Sequence, residues 1–246
     1  MECRVFGTRT QAERELAVEV AELVRVRPDA VLGLATGNTP TGLYRELARM
    51  HRDEGLDFAS VRTFNLDEYC GLTPDHPRAF RRWMREHFFD PAGIPAANTG
   101  FPDVGENVGA PGASDRIDPC ADFERAIRDA GGIDLLVLGI GRNGHVAFNE
   151  PGSERASRTR RVELHPWTRA DAAAAFGGLD RVPTHAITMG IATILEARRL
   201  RVLAFGPEKR ALVARTLAAT ADPDWPASQL HGHPDLRLLV DRSAAG

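Results

Sequence analysis

The chain predicts an α/β fold: one doubly wound, mostly parallel sheet with helices on both faces and a lid segment over about residues 153–183. Three observations lead there. Short apolar runs alternate with stretches of helical period, the pattern of a parallel sheet built from βα units. The run Leu135–Ile140 is continuously apolar, as in a strand buried in the sheet interior. No internal repeat or low-complexity tract interrupts the alternation, and one α/β domain can occupy 246 residues, so 1–246 reads as a single domain.

Each element has its own reason. Residues 10–28 predict a helix because Ala12, Leu16, Val20 and Leu23 recur near the helical period. Val31–Ala35 predicts a strand, Thr36-Gly37-Asn38-Thr39-Pro40 a loop and Thr41–His51 a helix. Val61–Asn65 is the second expected strand, and a helix over 78–89 follows a loop marked by Pro74 and Pro77. Residues 91–116 are rich in Pro and Gly with weak periodicity, so they read as an irregular connection. A helix over 119–130 leads to a strand over 134–140. Residues 153–183 are polar, alanine-rich and broken by glycine, with helix expected near 168–176. His185–Met189 reads as a short strand and Ile191–Ala197 as a helix. Leu200–Phe205 and Leu236–Val240 complete the strands, with a helix over 208–219 between them.

Composition excludes several classes of function. A formal net charge of −3 argues against a nucleic-acid surface. Cys3, Cys70 and Cys120 are odd in number and widely spaced, without zinc spacing or a disulfide framework, so a reducing cytoplasm is expected. The N-terminus carries Glu2, Arg4 and Arg9 and has no long apolar run, so no signal peptide is read there. No apolar segment approaches the ~20 residues of a membrane span. Lys209 is the only lysine among 31 basic residues. A lone ammonium in an arginine-rich chain points to a position that needs a compact cation. It follows the strand Leu200–Phe205 and the turn Gly206-Pro207 and opens a helix, where a phosphate would meet backbone N–H groups and a cation together.

The candidate chemistry concentrates after the strands. Leu135–Ile140 runs into a glycine-bent turn, Gly139, Gly141 and Gly144, followed by His145 and then Glu150 between Asn149 and Pro151. A sheet presents ligands on such loops at its carboxyl edge. His145 can transfer protons near neutral pH, with Glu150 to orient it or hold a substrate hydroxyl. The same glycines match the dinucleotide fingerprint, and Glu163 lies about 20 residues on. That reading is set aside, because Pro151 and Gly152 arrive within two turns and stop the helix the fingerprint needs. A second loop, Thr36-Gly37-Asn38-Thr39, offers close backbone approach and two hydroxyls to an oxyanion. A third, Phe64-Asn65-Leu66-Asp67-Glu68-Tyr69, ends a strand with two carboxylates. One could abstract a proton beside a carbonyl or iminium carbon; the alternatives are a solvated loop or caps for the next helix. His231-Gly232-His233 lacks a carboxylate or cysteine at ligand spacing and reads as a surface turn. Trp83, Trp167 and Trp225 are too scattered for a stacking platform, and His51, His76, His87, His165 and His185 read as structural.

Taken together, LGLATGNTPTGLY, TFNLDEYCGL, LGIGRNGHVAFNEPGS, SRTR at 157–160, AITMGIATIL and FGPEKRAL resemble the glucosamine-6-phosphate deaminase family, in its order and spacing over nearly the whole chain. The Asn-Glu-Pro after the histidine separates deaminases from the related 6-phosphogluconolactonases. The resemblance implies a cytosolic enzyme converting glucosamine 6-phosphate and water to fructose 6-phosphate and ammonia, with no cofactor and no metal. By the same resemblance, Asp67 is the base moving a proton between C2 and C1. His145 assists ring opening, and Glu150 is its carboxylate partner. Thr36, Gly37, Asn38 and Thr39 form the phosphate-side loop, and Arg169 and Lys209 are the phosphate-binding cations. Asn143 stands where well-studied members carry aspartate. Its amide oxygen can accept the imidazole N–H and orient it but brings no charge to an imidazolium.

Two other functions stay open at this stage. One is action on another amino-sugar phosphate, such as galactosamine 6-phosphate, since no motif reads the C4 epimer. The other is a non-catalytic sugar-phosphate sensor, which would need the phosphate loop but not Asp67. Some members of the family form hexamers activated by N-acetylglucosamine 6-phosphate between subunits. This chain keeps Ser153 and Arg160 but has Val162 in place of the family's lysine, and it ends soon after Leu238–Val240 with no helix expected there. A monomer or small homo-oligomer with hyperbolic kinetics is therefore expected.

Overall fold

The computed structural model describes residues 1–104, 118–218 and 220–246. Residues 105–116 of the expected irregular connection, and residue 219 of the helix expected over 208–219, lie outside the described residues. The strands are β1 (Glu2–Phe6), β2 (Val31–Leu34), β3 (Arg62–Asn65), β4 (Asp67–Tyr69), β5 (Thr99–Gly100), β6 (Leu135–Gly139), β7 (Arg160–Glu163), β8 (His185–Thr188), β9 (Leu200–Ala204) and β10 (Leu236–Asp241). Seven of them form one sheet in the order β1-β10-β9-β6-β2-β3-β5, parallel at every pairing.

Side-chain alternation explains how both faces are covered. Leu135 and Val137 of β6 join the core on one side, while Leu136 and Leu138 join the core on the other, as a period of two requires. The first side is packed by the helices Arg9–Val26 and Thr41–Glu54 and by a helical run that is α over Phe80–Met84 and π over Arg85–Phe89. The second is packed by Pro119–Asp129, Ile191–Leu195 and Arg210–Ala218. Fully buried Tyr44, Phe58 and Phe88 sit in the first core, each side chain contributing about 1.5–3 kcal/mol by leaving water. Gly33 is required by this packing, since a Cβ there would lie 2.6 Å from Leu136 Cγ. The helix Arg9–Val26 opens with a capping box: Gln11 N–H donates to the Thr8 hydroxyl, and Thr8 N–H donates to the Gln11 side chain.

The strand order creates the site. β2 lies between β3 and β6, so the chain leaves β2 towards one neighbour and later returns on its other side. The loops after β2 and β6 diverge, opening a crevice at the carboxyl ends of the strands.

Beside the parallel sheet stands a three-stranded antiparallel sheet, β4-β8-β7. β8 matches the strand expected over His185–Met189, whereas β4 and β7 carry no strand pattern of their own. Both are short and charged, Asp-Glu-Tyr and Arg-Arg-Val-Glu, and pairing rather than hydrophobic pattern makes them strands. β1 was likewise unexpected. It is an edge strand with Glu2, Arg4 and Val5 exposed, so it carries no buried apolar run. A short helix, Arg242–Ala245, corrects the expectation of no helix after the last strand. The Asp241 side chain caps it by accepting from Ala244 N–H. Arg201 lies 1% exposed in β9, with its guanidinium on Glu19 and Asp235; a buried cation persists only when paired in this way. Among the described residues, no helix is long and apolar enough to cross a membrane, and no cluster of three or more His, Cys, Asp or Glu could hold a metal.

Candidate active site

A cavity of about 450 Å³ opens at the crevice between β2 and β6. The loop after β2 lines it with Thr36, Gly37, Asn38 and Thr39. Gly37 takes a φ of +92°, which glycine adopts without penalty. The loop is fixed from outside by Arg9, whose guanidinium donates to the carbonyls of Asn38 (2.6 Å) and Thr39 (3.2 Å). From the helix that follows, Thr41 Oγ1 donates to Gly37 O at 3.0 Å and Tyr44 OH to Ala35 O at 2.5 Å. No side chain caps that helix at Pro40, so its first N–H groups stay available to an anion. Lys209 reaches the same cavity from the turn after β9, with Nζ donating to Ile140 O at 2.8 Å. Burial holds its ammonium below the ordinary lysine range, against the carboxylates of Glu208 and Asp171.

The adjacent carboxylates of β4 have separate tasks, because successive strand residues face opposite ways. Asp67 lines the cavity and is 7% exposed. Burial, with the Glu68 charge second, raises its pKa to about 8. Glu68 turns away and accepts backbone N–H bonds from Tyr69, Phe80 and Arg81, each at 2.9 Å. It therefore caps the helix Phe80–Met84 from a distance. The capping alternative holds for Glu68, while Asp67 faces the cavity.

The histidine loop lines the same cavity as the loop 36–39. His145 lines the cavity, and its Nδ1 lies 2.7 Å from Asn143 Oδ1. Asn143 Nδ2 in turn donates to Glu150 Oε2 at 2.8 Å, which also stands 3.4 Å from His145 Nδ1. Asn143 thus accepts from the imidazole and donates to the carboxylate, a pair of roles that suits an amide. With Nδ1 engaged, Nε2 is the nitrogen left to exchange a proton. Burial pushes the Glu150 carboxyl up. The hydrogen bond and charge of His145 and the bonds from Thr168 and Asn143 outweigh it, so Glu150 lies below the usual glutamate value and is ionised at neutral pH. The charge that Asn143 lacks is supplied from here. Gly141 must be glycine, since a Cβ there would lie 2.1 Å from His145 Cε1. Ala147, which also lines the cavity, holds a φ of +51°, a conformation strained for a residue with a side chain.

Of the residues singled out from sequence, Thr36, Gly37, Asn38, Thr39, Asp67, His145 and Lys209 line one cavity, with Asn143 and Glu150 directly behind His145. Arg169 is not brought to the cavity lining. Its Nη2 donates to the carbonyls of Leu179 (3.1 Å) and Val182 (3.3 Å), and its buried Nε has no partner among the described residues. Sequence reasoning missed the rest of the helix Pro166–Phe176. Thr168 Oγ1 donates to Glu150 Oε1 at 2.5 Å, and Asp171 lines the cavity and pairs with Arg142 at 3.2 Å. These contacts are tertiary, and the segment's polar, alanine-rich composition carried no signal of them. His231 and His233 make ordinary bonds to the carbonyls of Thr216 and Ala197.

Known proteins share both the sequence and the architecture. The glucosamine-6-phosphate deaminase of Bacillus velezensis is 46% identical over 228 residues, covering 92% of this chain and 91% of its own. Glucosamine-6-phosphate deaminase 1 of Giardia intestinalis is 48% identical over 232 residues, covering 94% and 84%. The solved structure of a monomeric glucosamine-6-phosphate deaminase superposes with a TM-score of 0.91 at 39% identity, covering 100% of this chain and 99% of that one. Residues 8–238 match the family described as glucosamine-6-phosphate isomerases/6-phosphogluconolactonase. By sequence and by fold, the chain belongs to the glucosamine-6-phosphate isomerase/6-phosphogluconolactonase family.

Proposed function

We propose that the protein converts glucosamine 6-phosphate and water to fructose 6-phosphate and ammonia. The observation that carries this is one cavity lined by a buried carboxylate, a braced imidazole and a half-buried ammonium: Asp67, His145 and Lys209. The identities with named deaminases support the same substrate.

The residues divide the work as follows. The phosphate is held by the loop Thr36–Thr39 and by Lys209 through charge-assisted hydrogen bonds, and this remote binding energy positions C1 and C2 against Asp67. His145, protonated, gives its Nε2 proton to the pyranose ring oxygen as the ring opens, and ionised Glu150 stabilises the imidazolium across 3.4 Å. Asp67 then takes the C2 proton and returns it to C1, while a proton passes from the C2 ammonium to the aldehyde oxygen, converting the open amino-aldose into a ketose iminium. Water adds to the iminium carbon and ammonia leaves. No metal or organic cofactor enters this sequence of steps. In this proposal Arg169 leaves the carbonyls of Leu179 and Val182 for the phosphate when the segment around Pro166–Phe176 closes. We infer a monomer or small homo-oligomer working in the cytoplasm, where Cys3, Cys70 and Cys120 remain free thiols.

The test is ammonia release by purified protein from glucosamine 6-phosphate, with galactosamine 6-phosphate in parallel. Turnover preferring the gluco sugar is expected. Preference for the galacto epimer would move the substrate assignment. Tight sugar-phosphate binding without turnover would replace the enzyme by a sensor.

A further inference from the structure

The segment 222–231, between the helix Arg210–Ala218 and β10, lines no part of the cavity, yet it grips the histidine loop at both ends. On the His145 side, Ala227 N–H donates to Gly144 O at 2.8 Å. The Trp225 indole lies against Gly144 so closely that a Cβ would stand 2.4 Å from Cδ2. On the Glu150 side, Gly152 N–H donates to Pro223 O at 2.9 Å, and Gln229 Nε2 donates to Ser153 O at 2.6 Å. The grip is itself rigid. Trp225 is 4% exposed and Gln229 1% exposed. The Trp225 Nε1–H donates to Thr216 Oγ1 at 3.0 Å, Arg215 lies over the ring at 4.0 Å, and Ser228 Oγ donates to Trp225 O at 2.7 Å. Arg155 donates to the carbonyls of Gln229 and His231.

The contacts matter because of what lies between them. Gly144 precedes His145 and Ser153 lies three residues after Glu150, so the two grips bracket the stretch whose ends meet in the His145–Asn143–Glu150 relay. The relay works only at hydrogen-bond distance, and a displacement near 1 Å in a catalytic array can cost about 10²-fold in rate. We infer that Trp225 and Gln229 are positioning residues for catalysis, Trp225 acting on His145 through Gly144 and Gln229 on Glu150 through Ser153. The inference deepens the proposed function and rests on it for its kinetic consequences. The phosphate-side loop and Lys209 belong to other elements, so loosening the grip should lower kcat and leave KM nearly unchanged.

Trp225→Leu removes the indole wall and its N–H, and Gln229→Met removes only the donor to Ser153 O. We expect each to lower kcat about 10–100-fold with KM within about threefold. Trp225→Phe, which keeps most of the wall, should restore at least half of the wild-type kcat. Each change is also combined with Asn143→Ala. If the grip acts through the relay, the double variants are no slower than Asn143→Ala alone. Fully additive losses would overturn the inference, as would variants that lose thermal stability but keep kcat. Imidazole nitrogen shifts of His145, read by NMR without substrate, give an independent check. At a pH where the ring is neutral, wild type should show one tautomer with the proton on Nδ1, and Gln229→Met a mixture. An unchanged single tautomer in both variants would refute positioning even if wild type released no ammonia, an outcome that would by itself remove only the proposed reaction.

Discussion

Replacing Asp67 by Asn separates what the residue does for the reaction from what it does to the fold. The shape is kept and the proton acceptor is lost, so kcat should fall by about 10²–10⁴-fold with KM little changed. Stability should move the other way. In the folded chain Asp67 titrates at about 8, against ~3.9 for an unfolded aspartate. Between those values the folded state holds more protons than the unfolded one, so stability falls as pH rises through the window and is unpenalised below it. Asn stays neutral throughout. The stability of Asp67→Asn relative to wild type should therefore rise by up to about 1.36 kcal/mol per pH unit, roughly 4 kcal/mol between pH 5 and pH 8. The amide, buried without a described partner, subtracts a constant ~1–3 kcal/mol at every pH. Urea unfolding at the two pH values measures the difference, and ammonia release measures the rate. The same ionisation should make wild-type kcat/KM climb as pH rises towards 8. A variant with more than half of wild-type kcat, or a stability difference flat across pH, would refute the assignment of Asp67 as a buried, uncompensated base.

Four further outcomes are expected. Lys209→Arg should raise KM for the phosphorylated sugar roughly tenfold, about 1.4 kcal/mol, because a bulky fork replaces an ammonium seated on Ile140 O; steady-state kinetics indistinguishable from wild type would count against a selected lysine. Gly141→Ala should displace the imbedded imidazole of His145 and lower kcat by about 10²-fold without weakening phosphate binding; an alanine variant at full speed would mean that the ring position is not critical. Amide exchange around Pro166–Phe176 should slow when a substrate analogue binds, and full protection in the free protein would exclude closure. N-acetylglucosamine 6-phosphate should not activate, since Arg160 is already engaged by Asn149 Oδ1 and Ser153 Oγ and Val162 offers no donor. A sigmoidal rate curve that straightens on its addition, with a hexamer by light scattering, would overturn this.

The parallel sheet was legible because its inner strands bury both faces and so read as continuous apolar runs, such as Leu135–Gly139 and Leu200–Ala204. Arg201 passed within one of these runs because its partners, Glu19 and Asp235, lie far away in sequence. The charged strands β4 and β7 were invisible for the converse reason: their order comes from β8 between them, not from their own pattern. In the site, glycine turns after strands marked the loops that line the cavity, and Asp67, His145 and Lys209 stood out by residue type. The partners that tune them did not. Nothing in the sequence ties Thr168 to Glu150, Arg9 to the carbonyls of Asn38 and Thr39, or Glu68 to the backbone at Phe80 and Arg81.

The antiparallel ladder limits what can move. β7 pairs with β8, and β8 pairs with the strand that carries Asp67, so residues 160–163 cannot swing without dragging Asp67 along. Beyond β7, Leu164 N–H donates to Thr184 O at 2.8 Å, stitching together the two ends of the excursion that holds the helix Pro166–Phe176. A loop already closed at its neck needs little additional closure entropy to re-form after opening. In the proposed closure, opening and closing would recur in each turnover while the ladder below keeps its register, with the hinges confined to the residues just inside the stitch.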